Sequence, residues 1–313
     1  MKKRIKNISC FGTSCTAGGG FEFNSNYNIT WQDGNDFILG KQLKNLYKGF
    51  VDTELSQYKF AFPNHLQNLV KPYGIKVDNY SKSGFGNEKV YREVFNVVNS
   101  ESFDKDTHLL FIEITGLGRK ELYSKELQDY IIVNYLINDD NEIPPAPHGM
   151  NHTWWDTSGI NDIVDGDNEI TLNNFLDFTL EASNQLDCMI RNLSMFFSWL
   201  KYNKINFVIT NWLETRSLEA NSVMPSYIND IVFNHTVNWN PFGKEYLNWI
   251  NMVNDLKLRI WDETNGIIQD NHFSYYGHKL IAHILFNQFI AENLETDKIL
   301  LSEKDFLNKS VKS

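Results

Sequence analysis

The chain has 313 residues, 42% of them apolar and 14% aromatic, with 39 acidic against 29 basic residues and a formal charge of −10. That apolar share fills a large core and excludes global disorder, and the length fits one elaborated α/β domain over residues 1–313. An acidic surface of this sign repels phosphate backbones and anionic lipid, so neither nucleic acid nor a membrane is an expected partner. The basic cluster Lys2, Lys3, Arg4 and Lys6 reads as a solubilising start to the first strand.

Cys10, Cys15 and Cys188 form neither a disulfide framework nor a metal-ligand spacing, and so sparse a count fits a reduced compartment. The stretch Ile5 to Phe11 is too short and too polar for a signal-peptide core. A cytoplasmic protein is therefore the expectation, and the same features fit a component of a viral particle. The sequence sets no oligomeric state.

In chain order, Ile5 to Phe11 predicts a short buried strand that runs into a turn-prone stretch, Gly12 to Gly20. From Phe21 to about Gln57 no clean periodicity appears. Phe60 to Val70 predicts a helix with Pro63 in its first turn. A second strand follows over Gly74–Tyr80, a loop over Ser81–Gly86, and a helix over Glu88–Val98 with Val90, Val94, Val97 and Val98 on one face.

The clearest strand is His108 to Thr115. A long amphipathic helix from roughly Leu172 to Tyr202 leads to a fourth strand, Asn206 to Asn211, and helices are expected from Tyr246 to about Trp261 and from Tyr276 to about Leu294. Strands alternating with helices predict a mostly parallel sheet covered on both faces. The Pro-rich and aromatic region 119–166 breaks the pattern. In an α/β enzyme such an insertion sits above the strand C-termini, which favours a lid or substrate loop over decoration or an oligomer contact.

A hydroxyl nucleophile has to stand exposed at a strand-to-helix turn, within reach of a histidine base and near backbone N–H donors for the developing oxyanion. Ser14 comes directly after the first strand, in Phe11-Gly12-Thr13-Ser14-Cys15-Thr16-Ala17-Gly18. A helix-capping serine would look the same. The segment lacks the Lys-Ser/Thr of a phosphate loop, so no nucleotide site is implied. Near the C-terminus, Asp270 lies two residues before His272, just ahead of an apolar helix. The aspartate can hold one imidazole nitrogen and leave the other as the base.

Taken together, the two ends resemble the SGNH (GDSL) hydrolase family. That family carries its serine after the first strand and its Asp and His on one loop before the last helix. The block His272-Phe273-Ser274-Tyr275-Tyr276-Gly277-His278 is similar to the family's His-Pro-Ser-x-x-Gly-His. The resemblance implies a three-layer α/β/α fold with a flavodoxin-like parallel sheet. It makes Ser14 the nucleophile, His272 the base, Asp270 its orienter, and His278 a structural residue at the helix start. Asn79-Tyr80-Ser81-Lys82-Ser83-Gly84 looks like the block whose glycine donates to the oxyanion hole, a role that falls on Gly84, with Gly86 as the substitute.

Two positions depart from the family pattern. Gly118, in Thr115-Gly116-Leu117-Gly118-Arg119, stands where the family has an oxyanion asparagine and offers only its N–H. Thr13 stands where the family has the Asp of Gly-Asp-Ser. Thr115 and Arg119 are candidate substrate-binding residues beside the gap. Trp154 and Trp155 form a candidate sugar platform, with local packing as the alternative.

His148, His152 and Asp156 have a metal-like spacing, but prolines interrupt the segment and no metal is expected there. The expected activity is cofactor-free hydrolysis of a carboxylic ester, an acetyl or other short acyl group on a carbohydrate, through an acyl-enzyme on Ser14. The alternatives are a catalytically silent carbohydrate-binding or structural module on the same fold, and an acyltransferase using the same triad.

Overall fold

A computed structural model describes residues 4–17, 29–33, 36–39, 61–81, 86–114, 119–124, 129–134, 182–212, 230–231, 234–256, 258, 261–262, 273 and 275–306. The centre is a four-stranded, all-parallel sheet formed by β1 (Asn7–Phe11), β4 (Lys76–Asn79), β5 (His108–Ile114) and β8 (Asn206–Trp212), in the order β4-β1-β5-β8. Ile8 lies opposite Val77 on one side and Leu109 on the other, and Leu110 lies opposite Phe207. Thr236 adds a single parallel bridge outside Ile209.

The strands are parallel because each return crossing is made by a helix. The one-turn α1 (Ser14–Ala17) follows β1, and α2 (Phe62–Val70) precedes β4. Next come α3 (Asn87–Val98) after β4 and α4 (Ala182–Tyr202) before β8. Beyond β8 lie α5 (Trp249–Asp255), α6 (Tyr275–Leu285) and the short α7 (Glu303–Phe306). Pro63 sits in the first turn of α2, where its missing N–H costs nothing, and the Asn248 side chain caps α5 by accepting from the Asn251 N–H at 2.9 Å.

Two apolar layers flank the sheet. On one face Ile8, Cys10, Leu109 and Phe111 pack with Phe62 and Leu66 of α2, Trp249 of α5, and Leu280 and Ile281 of α6. On the other, Phe11, Leu110, Ile112 and Ile209 pack with Val90 and Val94 of α3 and Leu193, Phe196 and Phe197 of α4. All seven residues of β5 are buried, and each large apolar side chain removed from water there contributes about 1.5–3 kcal/mol.

Several expected boundaries move. The helix expected over 246–261 is limited to Trp249–Asp255, because Trp261–Asp262 forms β9, paired antiparallel with β2 (Ile29–Asp33). β2 also pairs antiparallel with β3 (Asp36–Leu39), inside the stretch that showed no periodicity. The start of the 119–166 insertion is likewise a hairpin, β6 (Arg119–Ser124) with β7 (Asp129–Asn134). The final helix continues past Leu285 through a π turn, Phe286–Ile290, and a 3₁₀ turn, Glu292–Leu294. Within the described residues no helix is long and apolar enough to cross a membrane.

Candidate active site

From β1 the chain reaches β4 on one side, and from β4 it crosses back to β5 on the other, so the strand order reverses between β1 and β5. Ligands of open α/β sheets bind at the carboxyl ends of the strands beside such a switch point. Here that position is held by Gly12, Thr13 and α1, which opens at Ser14 and is closed by the Ala17 N–H donating to the Thr13 carbonyl at 2.8 Å.

Under this turn lies Glu113, the penultimate residue of β5 and 3% exposed. Its Oε2 accepts from the Thr13 N–H at 2.8 Å, the Thr16 N–H at 3.2 Å and the Thr16 hydroxyl at 2.6 Å. Its Oε1 accepts from the Thr13 hydroxyl at 2.6 Å. Four donors on one carboxylate satisfy a group that would be costly to bury unpaired.

Gly12 leaves the space for this arrangement. A Cβ built there would fall 2.7 Å from Glu113 Cβ and would also collide with Glu113 Oε2 and Thr16 Oγ1. The register with β8 shifts at the same level, Ile112 facing Ile209 but Glu113 facing Asn211. A bulge of this kind re-aims side chains at a sheet edge. It sets Thr210 inside the β8 ladder with its hydroxyl buried and without a partner among the described residues.

The second block reaches the same edge. Tyr80 donates its N–H to the Cys10 carbonyl at 2.8 Å and stacks on Phe11 with ring centroids 5.2 Å apart. The Asn79 side chain accepts from the N–H and the hydroxyl of Ser81, turning the chain out of β4. Gly86 lies at the start of α3, its carbonyl accepting from the Val90 N–H at 3.2 Å. Gly84, Thr115 and Gly118 lie outside the described residues, as do Trp154, Trp155, His148, His152 and Asp156. Arg119 opens β6.

At the C-terminal block, Asp270 and His272 also lie outside the described residues. Their neighbours are well packed. Phe273 is fully buried, edge-on to Trp249 at 5.2 Å and to His278 at 5.5 Å. Gly277 is needed because a Cβ there would lie 2.8 Å from the Leu258 carbonyl oxygen. His278 is fully buried, and its Nδ1 accepts from the Phe62 N–H at 3.1 Å, tying α6 to the start of α2. This agrees with the structural role expected of it.

A serine–histidine pair that the sequence reading missed occurs elsewhere. Ser9 Oγ and His108 Nε2 are 2.8 Å apart, their donor set by the imidazole tautomer. Ser9 is fully buried in the middle of a strand paired on both sides, so no substrate reaches it. Phe103 covers the imidazole at 4.8 Å, and burial pushes His108 below the ordinary histidine range despite the nearby Asp78 and Asp104. The pair is a structural contact at the amino end of β5.

Glu113 was also missed. Its signal was a lone acid in an otherwise apolar run, His-Leu-Leu-Phe-Ile-Glu-Ile. A carboxylate in such a place needs dedicated partners. Comparisons with protein-family models, with curated proteins and with solved structures give no match.

Proposed function

We propose that the chain is a serine hydrolase of the SGNH type that removes a short acyl group, such as acetyl, from a carbohydrate ester. The observation that carries this reading is the position of Ser14. It opens a one-turn helix at the carboxyl end of β1, beside the switch point of a parallel sheet, on a turn held rigidly from β5. The order β4-β1-β5-β8 agrees with the first four places of the flavodoxin-like order, which supports the reading. The helix that follows Asp270 and His272 packs on the sheet face lined by Ile8, Cys10 and Phe111.

In this mechanism His272 takes the proton as Ser14 Oγ attacks the ester carbonyl, and Asp270 holds the imidazole tautomer. The alcohol leaves with that proton, and water then attacks the acyl-enzyme with His272 again as base. The N–H groups of Ser14 and Gly84 face the oxyanion, with the Gly118 N–H in place of a side-chain donor. Thr115, Arg119 and the Trp154–Trp155 pair are the proposed substrate contacts.

Hydrolysis of p-nitrophenyl acetate by the protein and its Ser14→Ala and His272→Ala variants tests the reading. Turnover lost in both variants is the expected result. Equal turnover in all three would leave a non-catalytic module on this fold as the better account.

A further inference from the structure

We propose that Glu113 is the positioning residue of the nucleophile turn, fixing the backbone around Ser14 from the neighbouring strand. The inference rests on the hydrolase reading for its kinetic consequence and on geometry for the anchor itself. At Thr13 the chain lacks the acid that the SGNH block carries. A carboxylate nevertheless reaches the turn from β5, and Thr13 binds it with both its N–H and its hydroxyl.

The four bonds fall on Thr13 and Thr16, on either side of Ser14. Thr13 precedes it and Thr16 follows two residues later, each bound through backbone and side chain together. Such a clamp fixes both ends of a three-peptide arc, and with it the backbone of Ser14 and Cys15 between them. The fit is close on the third side as well, since only a glycine at position 12 leaves room for the carboxylate. A salt bridge serving stability alone would pair Glu113 with a base. Its partners among the described residues are instead four uncharged donors of one turn.

A nucleophile displaced by about 1 Å loses on the order of 10² in rate while substrate binding elsewhere is kept. Glu113→Gln sets an amide NH₂ against donors that the carboxylate had satisfied. With p-nitrophenyl acetate as probe, it should therefore lower kcat about 100-fold with little change in KM. Thr16→Val, which removes one donor without changing shape, should lower kcat less, and Thr16→Ser should restore it. These two variants carry the test if Glu113→Gln does not fold. Amide exchange followed by mass spectrometry should show faster exchange over residues 12–17 in Glu113→Gln and Thr16→Val, with β1 and β5 otherwise unchanged.

Wild-type kcat in folded Glu113→Gln and Thr16→Val, beside an inactive Ser14→Ala, would overturn the positioning role. If the wild type has no Ser14-dependent turnover, the hydrolase reading fails by itself and exchange alone decides the anchor. Faster exchange confined to 12–17 supports it, and unchanged exchange overturns it.

Discussion

The two ends of β5 each bury a polar group, and they do so in opposite ways. At the carboxyl end Glu113 has four donors and lies beneath the turn where the first crossover begins. At the amino end His108 has one partner, Ser9, its Nδ1 is buried without a partner among the described residues, and it lies under Phe103. A buried charge demands full pairing, whereas a neutral imidazole tolerates a single bond. The first arrangement fixes the turn that follows β1. The second fills a closed core position. Side-chain type alone would have ranked them the other way, since the serine–histidine contact looks more like a catalytic pair than a glutamate with two threonines does.

The comparison breaks most visibly at Gly12. Gly12→Ala drives a methyl group into Glu113 and Thr16, and should cost about 3 kcal/mol in denaturant unfolding, at the upper end of overpacking penalties, together with most of the activity. A stable, active Gly12→Ala protein would mean that the turn adapts and that the carboxyl end is no more tightly specified than the amino end.

Ser9→Ala should cost only about 1 kcal/mol, the net worth of one hydrogen bond, and leave esterase activity unchanged. Loss of activity in a folded Ser9→Ala protein would reverse the assignment of the two ends.

The smallest effect is on pH dependence. Burial lowers the folded-state pKa of His108 below the ordinary 6.5, so between the two values the unfolded chain binds a proton that the folded chain does not. Stability therefore rises with pH through that window and is lost as the pH falls through it. His283 in α6, pushed down to about 4 chiefly by burial and then by Lys279, acts with the same sign. Denaturation midpoints between pH 4 and 7 should show a shallower slope in His108→Gln, and a shallower one still in the double variant His108→Gln/His283→Gln. An unchanged slope would mean that His108 titrates alike in both states.

Much of the architecture was legible because it is local. The strands at 76–79, 108–114 and 206–212 and the helices at 62–70 and 87–98 fall where the apolar periodicity puts them. The hairpin formed by β2 and β3, the β2–β9 pairing and the β6–β7 hairpin were not legible. The periodicity of a run does not name the strand it pairs with, least of all one as distant in the chain as β9 is from β2. Of the proposed site, the turn after β1 was readable from its glycines, and the structural role of His278 was implied by the family resemblance. The partnership of Glu113 with Thr13 and Thr16 was not.

The sequence by itself determined an α/β chain with a mostly parallel sheet and the turn at Gly12–Ala17. These follow from residue type and order, which act over a few positions. Only the tertiary structure decided that β1 lies between β4 and β5, and that this places the Ser14 turn at the switch point. It also decided that the acid beneath the turn comes from position 113, a hundred residues beyond Thr13. The reason is physical. A buried carboxylate is tolerated wherever folding brings it enough donors, and which donors those are depends on strand order and register, which no local pattern encodes.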